Sequence, residues 1–554
     1  MQIAFASIAA MRALCLYLMM IVSAGLPLVA SAGVDCVSGE VAGIDPTVRL
    51  NGWGFNEKNH RFIPQSRAGI TPDNVESLQL KWAFALPGAE SPRALPLITS
   101  NTIVVADEDG GVYALDRDSG CQRWHYDADE MVRTALRYIR HGEKHLVAFG
   151  TWAGELITLN LITGDENWRV NVSDHPYGML SGSPIDHDGV IYQPVSSYEL
   201  AVAINPFYAC CTFRSSIVAV SVDTGDIQWR AHTIEEQPGV VEPRRFLPDR
   251  KGPSGAPVWS QPTLDLKRQR LYVGTGENYS APATDTSDAI LAFDMKTGKR
   301  LWKRQFLGGD VWNLACVTRY HPNCPEEQGE DLDFGAPPIL VTVAGRDYLL
   351  AGQKRGRFLA LDPAAEGAPV WSDRTGSGGK AGGVHFAMAV DEKRGVLYVP
   401  ISDRPIGDLV GDSFNGTPNP SLHAYDIATG RKQWEVSAPG DCRDASGDAV
   451  KGCFPGFSAA ITATDNLVFA PTLDGYLRAF DADTGTQRWS FDSTGRHSAV
   501  NGGMATGGAI DAGGILLDDG QLFVVSGYGQ FSQIPGNAFL VFEVPRKAEG
   551  QLSE

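Results

Sequence analysis

The chain has 554 residues, with 47 basic and 65 acidic side chains and a formal net charge of −18 at pH 7. That sign excludes a nucleic-acid binder or a protein held on an anionic membrane, because both need a basic footprint. Glycine accounts for 61 residues, hydrophobic residues for 43 % and charged residues for only 20 %, a balance that excludes disorder and suits short strands joined by tight turns.

Residues 1–32 read as a secretory signal peptide. Arg12 is their sole charge, an apolar run follows from Leu14 to Val22, and the small residues Ala30-Ser31-Ala32 end the segment. An uncleaved membrane anchor is the alternative, opposed by Ser23, Gly25 and Pro27, which interrupt the run too early for a comfortable span. No later stretch has the length and apolarity of an integral membrane segment, so an exported, periplasmic protein is expected. Past the signal lie Cys36, Cys121, Cys210, Cys211, Cys316, Cys324, Cys442 and Cys453. An even set in an exported chain predicts disulfides, with Cys316/Cys324 and Cys442/Cys453 spaced to close short loops. No CxxC or CxxCH spacing occurs, so neither a zinc site nor covalent c-type haem is supported.

One pattern then recurs: an alternating apolar strand, an Asp or its equivalent, a Gly-containing turn, and a Trp that opens a returning strand. It runs through VYALDRDSGCQRW (Trp124), LITLNLITGDENW (Trp168), IVAVSVDTGDIQW (Trp229), ILAFDMKTGKRLW (Trp302), FLALDPAAEGAPVW (Trp371), LHAYDIATGRKQW (Trp434) and LRAFDADTGTQRW (Trp489). Trp82 in LQLKWAFAL has the returning strand but no preceding one, and NAFLVFEV (Asn537 to Val544) supplies the missing partner. The reading is all-β: an eight-bladed β-propeller whose last blade is closed by N- and C-terminal strands. The expected layout is signal peptide 1–32, N-terminal extension 33–70, propeller 71–545 and tail 546–554. The repeat Trp residues are expected to pack blade on blade, and the long middle loops to carry function.

The eightfold AxDxxTGxxxW repeat resembles the PQQ-dependent quinoprotein alcohol dehydrogenases. Within them the likeness is to polyvinyl alcohol dehydrogenase-like quinoproteins lacking a cytochrome c domain. NGWGFNEKNHRF (Asn51 to Phe62), VRTA (Val132 to Ala135), ACCTFRSS (Ala209 to Ser216), GTGENYS (Gly274 to Ser280) and DVWNLAC (Asp310 to Cys316) carry the likeness. It implies pyrroloquinoline quinone (PQQ) on the ring axis with a hard cation such as Ca²⁺, whose identity stays open. Glu199, at the end of VSSYE, matches a cation ligand, and Ser196 and Ser197 match cofactor-binding positions beside it; a surface Glu is the alternative. Arg133, Ser181, Arg214 and Lys354 match cofactor contacts, although Arg133 reads equally as a solvated Arg and Arg214 as a loop ion pair. Trp259 in PVWSQPTLD matches the aromatic floor, with a core Trp as alternative. In GTGENYS the ligand is Asn278, with Glu277 in reserve. Cys210-Cys211 is either a cofactor lid or two ordinary disulfide partners.

The implied reaction removes a hydroxyl proton with a carboxylate while PQQ accepts hydride. The family places its catalytic Asp where this chain has Asn313, which has no useful basicity, so Asp310 is nominated as base and as possible cation ligand. Expected partners are a small-molecule or polymeric alcohol and a soluble cytochrome c as electron acceptor, with no nucleic acid. A non-catalytic propeller of the outer-membrane-assembly type is the rival, and a degenerate dehydrogenase that has lost its base is kept open by Asn313.

Overall fold

Alternating apolar runs separated by Gly turns can bury both faces only by stacking sheets against one another, and the chain does this in a ring. The computed structural model describes residues 35–36, 41–318, 320–406, 417–440, 442–443 and 446–545; the signal-peptide and C-terminal-tail segments lie outside them. Seven antiparallel sheets follow one another at 97–127, 137–171, 178–232, 263–305, 339–374, 389–437 and 462–492, here blades 1 to 7. Blade 8 joins Ile515–Asp518, Gln521–Ser526 and Ala538–Glu543 to the N-terminal strand Gln79–Ala85, with Trp82 opposite Val541. The two ends of the ring therefore share one sheet, as the unpaired Trp82 strand requires.

A single local device is repeated eight times. Where the third strand of a blade pairs with the fourth, the register slips just ahead of the Trp, a β-bulge found in each of the eight blades. The Trp packs over the turn glycine of the next blade. Gly298 holds φ +70°, and a Cβ there would stand 2.5 Å from Trp229, so only glycine meets both the backbone and the contact. Gly120, Gly164, Gly225, Gly367, Gly430 and Gly485 meet Trp82, Trp124, Trp168, Trp302, Trp371 and Trp434 in the same way. Six indoles also donate to a carbonyl in the next blade, such as Trp168 to Val222 and Trp434 to Ala482. Blade 8 has no such turn, and there Trp489 packs edge-on against Phe542.

The segment preceding Gln79 crosses the mouth of the ring. Carbonyls of Glu57, Lys58, His60 and Arg61 accept from the backbones of Leu264, Leu340, Val390 and Ala463, on the first strands of blades 4 to 7. Arg61 is fully buried without a carboxylate, donating to the carbonyls of Trp53, Ile461 and Gly513 and to Thr462, and burial lowers its pKa to about 9. Asn51 to Phe62 is thus a plug that ties blades together across the axis. All eight cysteines past the signal segment are paired: Cys36–Cys121, Cys210–Cys211, Cys316–Cys324 and Cys442–Cys453. Among the described residues no helix is long and apolar enough to cross a membrane.

Gly298→Ala forces both a left-handed alanine and a clash with Trp229, so it should cost about 1–3 kcal/mol, read as a lower denaturant midpoint at unchanged slope. Gly43→Ala, where nothing lies within 4 Å, should leave the midpoint unchanged.

Candidate active site on the ring axis

Middle-blade loops converge over the plug to enclose a cavity of about 340 Å³. Its floor is Trp259, which meets His385 and Phe386 edge-on at 5.8 Å each. Gly335 supports that floor, since a Cβ there would fall 2.1 Å from the Trp259 ring. The wall beside it is acidic. Glu277, Asp331 and Asp333 are all buried, and one ligand oxygen from each lies within 4.8 Å of the others. Asp331 and Asp333 flank Leu332, and Asp331 takes a left-handed backbone with φ 57°.

One cation answers these three carboxylates. The Lys354 ammonium lies 2.8 Å from Asp331 Oδ1, 2.7 Å from Asp333 Oδ2 and 5.4 Å from the Trp259 ring centre. Asp333 also accepts from the Trp259 indole at 3.0 Å and from the Glu277 backbone at 3.1 Å. Burial pushes Glu277 well above the usual carboxylate range, and the Asp333 charge adds to this. Burial likewise pushes Asp331 up to about 7 against the pull of Lys354. At Asp333 burial acts the same way, but Lys354 and the Glu277 hydrogen bond outweigh it and hold the group below its ordinary value. Lys354 is raised, because Asp331, Asp333 and Glu277 outweigh the burial that opposes its charge.

Of the residues named from sequence, Arg133, Ser181, Ser196, Ser197, Trp259, Glu277 and Lys354 line the cavity. Six do not. Glu199 is buried, and its carboxylate is spent on the backbone N–H groups of Thr212 and Phe213, each at 2.8 Å, and on the Tyr208 hydroxyl. The Asn278 amide is held by Thr284 and by the Ser254 carbonyl. Arg214 donates to the carbonyls of Ile234 and Glu235 and forms no ion pair among the described residues. Cys210 and Cys211 bond to each other within a buried cluster with Phe213, Tyr279 and Ala315. Asp310 accepts from the backbone N–H groups of Asp331 at 3.0 Å and Leu332 at 2.9 Å, so it stands behind the wall and positions it. Asn313 is a cap, accepting from Ala315 N–H and donating to the carbonyls of Tyr279 and Asn323.

The DLDFG segment from Asp331 to Gly335 is the feature that the sequence reading passed over. Its signal was present: two carboxylates at i, i+2 directly before the apolar strand Ile339–Val343. The donor set suits a hard cation, with three oxygen ligands and a surplus of negative charge over Lys354. It also suits a flat, multiply carboxylated quinone: Trp259 offers a ring face, the Arg133 guanidinium reaches the cavity, and the Ser181 hydroxyl is buried there without a partner.

The family model described as "Glucose/ethanol/alcohol dehydrogenase, beta-propeller domain" matches residues 51–319, and one described as "Outer membrane protein assembly factor BamB" matches residues 410–510. The polyvinylalcohol dehydrogenase of a Pseudomonas species is 33% identical over 542 residues, which cover 95% of this chain and 81% of that protein. The polyvinylalcohol dehydrogenase of Sphingopyxis sp. (strain 113P3) is 33% identical over 516 residues, 90% of this chain and 76% of its own. The chain belongs to the quinoprotein alcohol dehydrogenases. In fold it is similar to the quinohemoprotein alcohol dehydrogenase of Comamonas testosteroni, with a TM-score of 0.63 at 20% identity, covering 91% of this chain and 82% of that one.

In this quinoprotein the acidic wall makes the cation-free protein sensitive to pH. Between about pH 4 and 7 the folded chain holds a proton on Asp331 that the unfolded chain has released, so stability falls as pH rises through that window, by up to about 1.4 kcal/mol per pH unit. Asp331→Asn should flatten this slope and raise the apo melting temperature at pH 8, while Ca²⁺ should stabilise the wild type more than the variant. Thermal melts from pH 5 to 8 check this; an unchanged slope in the variant contradicts it.

Proposed function

We propose that this chain oxidises a secondary or polymeric, polyvinyl alcohol-like alcohol to a carbonyl, with PQQ and a cation such as Ca²⁺ in the axial cavity. Electrons leave singly to a separate cytochrome c in the periplasm. One observation carries the reading: three buried carboxylates within 4.8 Å of one another, on the wall of a cavity floored by a tryptophan, in a chain of this family. When bound, PQQ supplies the hydride acceptor, and the cation supplies the Lewis acidity that makes it electrophilic.

The chain's own part is positioning and proton transfer. Glu277, Asp331 and Asp333 hold the cation, and Trp259 gives the cofactor rings their flat support. Asp331 is the proton acceptor. Lys354 donates to its Oδ1, whereas its Oδ2 accepts from no described residue, and Asp331 lines the cavity. Asp310 fixes the Asp331 backbone, and Lys354 fixes the carboxylate, so the free oxygen is presented in one orientation. Leu314, Ala381, Ile406 and Phe531 give the rim an apolar surface, suited to the hydrocarbon part of an alcohol and to exclusion of water.

Purified protein given PQQ and Ca²⁺ should reduce an artificial dye with secondary alcohols. Loss of a general base costs about 10²–10⁴ in rate, so Asp331→Asn should lower turnover by that order while PQQ still binds. Asp310→Asn, which only loosens the anchor, should cost less. Wild-type-like turnover in Asp331→Asn contradicts the assignment.

A further inference from the structure

Two buried lysines line the cavity, and only one of them is answered. Lys354 is held by Asp331 and Asp333. Lys380, 8 % exposed, makes neither an ion pair nor a hydrogen bond among the described residues. Its ammonium lies 5.3 Å from the ring centre of Trp312, which also lines the cavity. A ring face holds an ammonium in place without neutralising it.

The loop around Lys380 fixes where that charge stands. Asp403, fully buried, accepts from the backbone N–H groups of Ser377 at 2.7 Å, Gly378 at 3.1 Å and Asn419 at 3.3 Å. The acid that anchors the loop is thus spent on backbone and forms no ion pair with the lysine. A Cβ on Gly383 would stand 2.3 Å from the Gly356 nitrogen, so the loop lies directly against the turn that follows Lys354. Beside Lys380, Ala381 and Ile406 form one apolar cluster with Leu314, and all three line the cavity. Lys380 has no place in the smaller cleft against the Trp259 floor, where Arg133 and Ser181 stand. It belongs to the apolar rim.

An ammonium taken out of water is costly without a counter-ion, and the chain supplies none here. A neutral hydroxyl offers a hydrogen bond but no charge. A carboxylate offers both. We propose that Lys380 anchors a carboxylate carried by the alcohol itself, so that the cavity also oxidises hydroxy acids in which a short hydrocarbon stretch separates the carbinol from the acid. That stretch lies along Leu314, Ala381 and Ile406. The inference rests on the reading above that an alcohol is oxidised in this cavity, and adds an anionic class to its substrates. The redox step is the same: hydride passes from the carbinol carbon to the quinone and the hydroxyl proton to Asp331, leaving an oxo acid whose carboxylate is unchanged. Lys380 touches no reacting atom and acts on specificity alone.

The test uses PQQ- and Ca²⁺-loaded wild type, Lys380→Met and Lys380→Arg, with a series of secondary hydroxy acids of increasing chain length, each against its amide. A tertiary hydroxy acid, whose carbinol carbon has no hydrogen to lose, measures binding alone through tryptophan fluorescence. A hydrogen bond to a charged group is worth about 10- to 100-fold, so wild type should prefer the best acid over its amide by that factor in kcat/KM. Lys380→Met should lose the preference through KM and bind the tertiary acid more weakly by the same factor, while the amide changes by less than about 3-fold. Lys380→Arg should keep part of the preference. Lys380→Met should melt no lower than wild type, because an uncompensated charge is gone, and should bind PQQ as tightly. Equal losses for acid and amide, or an acid preference that persists in folded Lys380→Met, overturn the proposal while leaving the alcohol reading standing. Weaker PQQ binding in Lys380→Met assigns the lysine to the cofactor and overturns it too. Wild type that oxidises no alcohol, neutral or anionic, overturns both readings.

Discussion

Three carboxylates buried around one ammonium define this molecule. Glu277, Asp331 and Asp333 against Lys354 leave negative charge in a place water hardly reaches, and a folded chain tolerates that only if the surroundings hold the groups rigidly or a cation completes them. Lys354 bridges the two aspartates, the Trp259 indole and Glu277 hold Asp333, and Asp310 anchors the backbone of Asp331 and Leu332 from behind. Each support comes from a different loop of blades 4 and 5 or of the segment between them.

The ring supplies that rigidity cheaply. Seven of the eight bulged fourth strands turn a Trp onto the next blade's turn, and blade 8 ties the two ends together through the Trp82 strand. The Asn51 to Phe62 plug adds spokes from the axis to the first strands of several blades, with Arg61 donating to three carbonyls at its centre. Scaffold and site are therefore coupled: Trp53 belongs to the plug and also to the wall of the cleft beside the floor tryptophan.

What the sequence made legible follows from which features are periodic. Eight Trp-anchored strands announce eight blades, and the lone Trp82 strand requires a C-terminal partner, because period and strand alternation are local properties. The residues named in VSSYE, GTGENYS and VWSQP include several that line the cavity, since they sit at strand ends pointing to the axis. Orientation was not legible. Glu199 and Glu277 are both acids after a strand, yet one turns to the backbone of Thr212 and Phe213 and the other lines the cavity. Asp310 and Asn313 drew attention by likeness, whereas Asp331 and Asp333 lie beyond an intervening disulfide loop, Cys316–Cys324, which hides their relation to DVWN in a linear reading.

The most direct test of this account is the position of the cation in crystals grown with PQQ and a cation that scatters anomalously. The account predicts a peak bound by carboxylate oxygens of Glu277, Asp331 and Asp333 beside a quinone stacked on Trp259. A cation held by Glu199 and Asn278, with Glu277 and Asp333 unliganded, would contradict it.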